Sequence, residues 1–139
     1  MHKTSSSSVY EIYYHIIWCP KYRKAVLTSP IKEFLEQVLR TIAETKGWEI
    51  KALEVMPAPS HLFLSAPPKV APTELAKTLK GMSARRVFQE FPKLKKKEFW
   101  GGGHLWSPSY YVGTAGHIST DAVEKYIAGT KNRGKQRQA

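Results

Sequence analysis

The sequence predicts an α+β domain of ferredoxin-like (RRM-like) type: an antiparallel sheet with two helices on one face and a third helix appended. Three observations predict it. Apolar residues switch between two-residue and helical spacing in the order β-α-β-β-α-β-α. The first six of these elements match the split βαβ motif. The 139 residues contain no internal repeat and suit one domain with a modest core.

The elements follow in order. Residues 1–8 are polar and include the serine run 5–8, so they read as a disordered leader. Residues 9–19 are rich in β-branched and aromatic types and read as a strand that Pro20 ends. A basic loop with Lys21, Arg23 and Lys24 follows. Ser29 then reads as an N-cap with Pro30 in the first helical turn. Ile31, Phe34, Leu35, Val38, Leu39 and Ile42 repeat at helical spacing, and Gly47 fits a C-cap. Residues 48–56 and 60–66 are the next two strands. Pro72 starts a second helix with Leu75, Leu79 and Met82 expected inward and Lys77, Lys80, Arg85 and Arg86 toward its polar side. Residues 92–98 read as a charged linker and 100–106 as a glycine loop between Trp100 and Trp106. Residues 109–115 are the fourth strand. Ser119 or Thr120 caps a third helix, and 131–139 form a basic flexible tail. The domain proper spans 9–130.

Composition narrows the function. Hydrophobic residues make up 42% and charged residues 24%, as in globular proteins. Lys and Arg total 22 against 11 Asp and Glu, a formal charge of +11. Such an excess calls for a polyanionic partner, and nucleic acid is the first candidate. No basic amphipathic helix supports a membrane surface, and no apolar run approaches the ~20 residues of a membrane span. Cys19 is the single cysteine, which excludes an internal disulfide framework and agrees with a reducing cytoplasm. A cytoplasmic, nucleoid-associated location is the expectation.

Several segments together resemble the single-tyrosine HUH single-strand DNA transposases of small insertion sequences. The family segment Met-Pro-Asp-His-x-His-Leu is matched by Met56-Pro57-Ala58-Pro59-Ser60-His61-Leu62. Residues 79–96 are similar to the family's second helix and the linker after it. Residues 106–116 resemble its fourth-strand segment, 14–24 its first strand, and 124–130 its nucleophile helix, usually Tyr-Ile-x-x-Gln. The resemblance covers nearly everything from Tyr10 to Thr130.

The resemblance implies a homodimer joined through sheet edges, binding of single-stranded hairpin DNA ends, and an appended C-terminal tyrosine helix. It makes Tyr126 the catalytic nucleophile, which becomes linked to a 5′ phosphate before the strand is rejoined. A covalent intermediate conserves the energy of the broken phosphodiester. The resemblance also implies a divalent metal, Mg or Mn, that polarises the phosphate. Its ligands in the family are two His at i and i+2 on one strand, which period-two alternation places on one face, and a Gln one helical turn after the tyrosine. Here His61 fills the second His position. Pro59 stands at the first, Ala58 replaces the Asp, and Thr130 stands where Gln is usual. These departures fall on the chemistry, while the scaffold segments match. Glu54 or His104 are alternative ligands by type.

For DNA contact the candidates are Lys21, Arg23, Lys24, Lys80, Arg85 and Arg86, with Trp100 and Trp106 as base-stacking residues. The plainer alternatives are a solvated helix face for the cations and packing under a loop for the tryptophans. Without the family, Tyr126 reads as a partly buried core residue and His61 as a structural strand histidine. Tyr110 and Tyr111 read as part of the dimer sheet. Three functions follow: an active transposase, a catalytically impaired or recruited hairpin-binding derivative, and an RNA binder on a similar fold. The last lacks the aromatic-rich strand pattern of RNA-recognition sheets.

Overall fold

The computed structural model describes residues 3–4, 9–10, 12–99 and 104–115. The expected third helix, Tyr126, Thr130, Trp100 and the tail 131–139 lie outside these residues. The elements are β1 (Lys3–Thr4), β2 (Val9–Tyr10), β3 (Tyr13–Trp18), a 3-10 turn (Lys21–Arg23), α1 (Ile31–Lys46), β4 (Glu49–Val55), β5 (Ser60–Ser65), α2 (Pro72–Glu90), α3 (Pro92–Phe99) and β6 (Tyr111–Ala115).

The main sheet runs β4-β5-β3-β6, with every neighbouring pair antiparallel. This is the α+β, ferredoxin-like order expected from the element sequence. Strand parity divides the sheet into two faces. Tyr14, Ile16 and Trp18 of β3 and Leu62 and Leu64 of β5 form one core with Leu35, Val38, Leu39 and Ile42 of α1 and Leu75, Leu79 and Val87 of α2. That face therefore carries the helices. Each fully buried side chain of this size contributes roughly 1.5–3 kcal/mol.

Several local expectations change. The apolar run 9–19 splits: Val9–Tyr10 pairs with Lys3–Thr4, and only Tyr13–Trp18 joins the main sheet. The segment read as a disordered leader thus supplies one strand of a two-strand ladder, since two β-prone residues at 9 and 10 offer an edge to pair with. Ser29 does not cap α1. Pro30 holds the N-cap position, and the Ser29 hydroxyl donates to the Glu33 carboxylate at 2.7 Å. Gly47 is the C-cap glycine, left-handed at φ 77°. Its N–H bonds the Glu44 carbonyl and the Trp48 N–H bonds Ala43, a Schellman pattern that buries Trp48.

In α2 the inward stripe is Leu75, Ala76, Leu79, Ser83 and Val87, while Met82 is 42% exposed. The row of residues four apart faces the core, and Met82 falls beside it. Residues 92–98 are a helix rather than a linker. Pro92 sits at its first turn, where its missing N–H costs nothing. Phe99 is buried, Leu94 packs against the core, and the Phe88 and Phe99 rings meet edge to face at 5.9 Å. Lys93 and Lys96 are exposed around that anchor, and Lys95 Nζ lies 5.5 Å from the Phe88 ring centroid.

Candidate active site and nucleic-acid interface

The expected metal position lies on the sheet face away from the helices. β5 places His61 there because it alternates with Leu62 and Leu64, which face the core. Opposite His61 stand Ile17 on β3 and Glu54 on β4, and opposite Phe63 stands His15. The His15 ring stacks on Phe63 at 4.1 Å and lies 5.7 Å from the His61 ring. Tyr111 of β6 meets His15 edge-on at 5.7 Å. Its hydroxyl lies 2.5 Å from where a Cβ on Gly113 would stand, so a side chain there would displace the ring from this position.

Burial sets the charge of this face. Desolvation, and secondarily the neighbouring His61, lowers the His15 pKa to about 4. Burial lowers His61 as well, against the opposing pull of the Glu54 carboxylate. Both imidazoles are neutral at pH 7. Neutral imidazole is the metal-binding form, and Nδ1 of His61 is buried with no hydrogen-bond partner among the described residues.

The rest of the expected ligand set does not assemble. Pro59 ends the β4–β5 turn, where its carbonyl accepts from the Met56 N–H at 2.9 Å. Two residues before His61, it occupies the parity of the missing imidazole and has no donor side chain. Among the described residues no three His, Cys, Asp or Glu side chains come together as a metal seat. His104 is exposed near α2, on the rim of a cavity with Lys21 and Lys80, and is no substitute beside His61. Glu54, by contrast, is the cross-strand neighbour of His61. The residues described do not fit a divalent metal as the family pattern would hold it.

The cationic candidates separate into classes. Arg85 and Arg86 are exposed on α2, and Arg23 is exposed in the turn after β3. Lys24 lies 3.6 Å from Glu98 of α3, so part of its charge is already met. Lys80 is half-buried, and its ammonium donates to the Ser107 carbonyl at 2.7 Å and to Pro108 at 3.4 Å. It clamps α2 to the segment leading into β6, and burial lowers its pKa. Trp106 is corrected outright. It is 4% exposed, its indole meets Trp18 edge-on at 5.8 Å, and Nε1 donates to Ser83 Oγ at 3.0 Å. No base can stack there. The flanking glycines suggested an open loop, but Trp106 bridges to Pro20 and closes the core.

The sequence reading passed over Tyr22. Tyr22 and Arg23 both have positive φ, 64° and 53°. A left-handed conformation costs a non-glycine residue roughly 1–2 kcal/mol, so the turn holds Tyr22 outward, 61% exposed, against local preference. The available signal was an aromatic residue set between basic ones, Lys21-Tyr22-Arg23-Lys24.

Comparisons with known proteins agree with this architecture. The family model described as "Transposase IS200 like" matches residues 8–130. The chain is 45% identical over 125 residues to the ISDra2 transposase TnpA of Deinococcus radiodurans, covering 90% of this chain and 88% of that protein. It is 31% identical over 114 residues to the IS200 transposase of Salmonella typhimurium, covering 82% and 73%. The crystal structure of a Deinococcus radiodurans protein assigned as a transposase superposes with a TM-score of 0.74 at 43% identity, covering 91% of this chain and 96% of that one. A REP-associated tyrosine transposase solved with a REP hairpin superposes at a TM-score of 0.59, covering 95% and 74%. At 14% identity the second likeness is one of fold. With its sheet order and these matches in agreement, the chain belongs to the IS200-like transposase family.

Proposed function

We propose that this transposase-family chain binds hairpin ends of single-stranded DNA as a homodimer, and that its strand cleavage is impaired. The observation that carries the second half is the pair Pro59 and His61. The strand position that should present the first imidazole holds a residue with no ligand. Hairpin binding is supported by the charge of +11, by exposed Arg23, Arg85 and Arg86, and by the fold shared with a hairpin-bound relative.

Dimerisation through a sheet edge is supported by the two edges of the sheet. β4 is interrupted by a register shift at Ile50/Ala52, a bulge that blunts its edge for pairing. β6 is regular along its ladder with β3. The β6 edge is therefore the one suited to join a second copy.

In the cutting step Tyr126 supplies the attacking oxygen. A bond forms from that oxygen to phosphorus, the bond to the 3′ oxygen breaks, and that oxygen takes a proton. The product is a 5′-phosphotyrosine that a 3′ hydroxyl can later reverse. Mg or Mn remains the cofactor that the family reading implies. This chain brings one imidazole, neutral and buried, toward it. Loss of a mere supporting residue at a metal site costs ~10–100-fold in affinity or activity, so losing a ligand costs at least as much.

A second reading is favoured by one observation. Glu54 faces His61 across β4–β5 and draws its pKa up. A carboxylate there stands in for the missing histidine, and cleavage is then retained. Incubation of the protein with labelled hairpin DNA and manganese separates the two readings. A covalent band lost in both Tyr126→Phe and Glu54→Gln favours the second. A shifted complex without a covalent band favours the first.

A further inference from the structure

Four large apolar side chains are notably exposed among the described residues: Tyr22, Met82, Tyr110 and Tyr111. Three of them, the tyrosines, line one cleft of about 400 Å³ between the turn after β3 and the segment entering β6. Exposed rings scattered singly need no explanation, but three on one concave surface do.

The rest of the cleft points to an anionic, aromatic ligand. Arg23 lines it, and no carboxylate does. Lys21 Nζ lies 5.2 Å from the Tyr22 ring centroid and Lys80 Nζ lies 5.1 Å from that of Tyr110. Each of these two rings thus has a cation beside it. Ser107 joins this cleft to a neighbouring cavity of about 380 Å³ that Lys21, Lys80 and His104 line. Flat aromatic platforms with cations placed alongside are what a single strand needs, because every base has a face to stack and every link a phosphate to neutralise. A duplex stem keeps its bases stacked on each other and cannot offer them. Tyr22 and Arg23, both held in the left-handed conformation, line the same cleft.

We infer that the cleft between Tyr22 and Tyr110 binds an unpaired nucleotide of single-stranded DNA, its base on the tyrosines and its phosphate on Arg23 and Lys21. Ile17, which lines the cleft, pairs with His61 across β3–β5, and Tyr111 meets His15 edge-on, so the cleft borders the face that carries His61. It deepens the proposed function by assigning the unpaired part of the substrate. It rests on that reading only for the hairpin context.

The test uses the full chain and three probes read by fluorescence anisotropy: an eight-nucleotide oligo-dT, an oligo-rU of the same length and a hairpin with no unpaired tail. Tyr22→Ala and Tyr110→Ala should each weaken oligo-dT binding about 10-fold, within the range for loss of one stacked base. Tyr22→Trp should keep it. Lys69→Ala, outside the lining of either cavity, should leave it within about twofold. Circular dichroism confirms that each variant is folded, and Tyr22 and Tyr110 test the cleft independently. Oligo-dT affinity unchanged in both alanine variants, or no oligo-dT binding by the parent chain, overturns the inference. Tighter binding of oligo-rU than oligo-dT overturns its assignment to DNA. Failure to bind the tailless hairpin, with tyrosine-dependent oligo-dT binding intact, refutes the hairpin reading and leaves the cleft standing.

Discussion

Trp106 donates from its indole Nε1 to the Ser83 hydroxyl across 3.0 Å, and that hydroxyl donates to the Lys80 carbonyl at 3.1 Å. The segment before β6 is thereby fastened to the middle of α2. Ser83→Ala leaves a buried indole N–H without an acceptor, which costs about 1–3 kcal/mol. Trp106→Phe removes the donor and some volume. The double variant should lose less than the sum of the singles, because the orphaned groups vanish together. Urea denaturation of the four proteins checks this, and strict additivity refutes the pairing.

Lys80 and the two arginines should differ in kind. Lys80→Ala breaks a charged clamp to Ser107, and hydrogen bonds of that type are worth about 1.5–3 kcal/mol. Its chief effect is therefore a lower denaturation midpoint. Arg85→Ala and Arg86→Ala should stay within about 0.5 kcal/mol of the parent in stability. Each should instead reduce the salt dependence of hairpin binding by about one phosphate contact. Equal stability losses at all three positions would refute the distinction.

The buried imidazoles predict a pH dependence of stability. Both His15 and His61 have folded pKa values below the unfolded value of about 6.5. The unfolded chain therefore binds protons that the folded chain does not. Their contribution to stability is complete above pH ~6.5 and is lost as the pH falls through the folded values, about 4 for His15. His15→Phe keeps a ring on Phe63 and removes one titrating group. Its urea midpoint should fall less between pH 7.5 and 5 than that of the parent. An equal fall in both proteins contradicts the assignment.

Much of the fold was legible because periodicity is a direct consequence of burial. Leu62 and Leu64 alternate with His61 and Phe63, and α1 carries its stripe at helical spacing. Even the side of the sheet that bears His61 followed from parity. The misses share a cause, which is that local composition hides long-range contacts. Lysines at 93 and 95–97 read as a linker, although Phe91, Leu94 and Phe99 supply the anchor of a helix. Glycines beside Trp106 read as an open loop, although Pro20, Trp18 and Ser83, far away in sequence, bury it. Met82 reads as inward beside Leu75 and Leu79, but the buried row continues through Ser83, whose hydroxyl accepts from Trp106. The bulge at Ile50/Ala52 and the left-handed turn at Tyr22 leave no trace in composition. That Pro59 has no ligand side chain was plain from sequence, because a side-chain type needs no coordinates.

The most direct measurement is a denaturing protein gel of labelled hairpin single-stranded DNA incubated with manganese. It compares the parent chain, Pro59→His with Thr130→Gln, and the same double substitution with Tyr126→Phe. A depleted metal position predicts that the double variant forms at least ~10-fold more covalent adduct than the parent, all of it lost with Tyr126→Phe, while all three shift the hairpin equally on a native gel. A parent chain that forms the adduct as readily as the double variant would contradict the account.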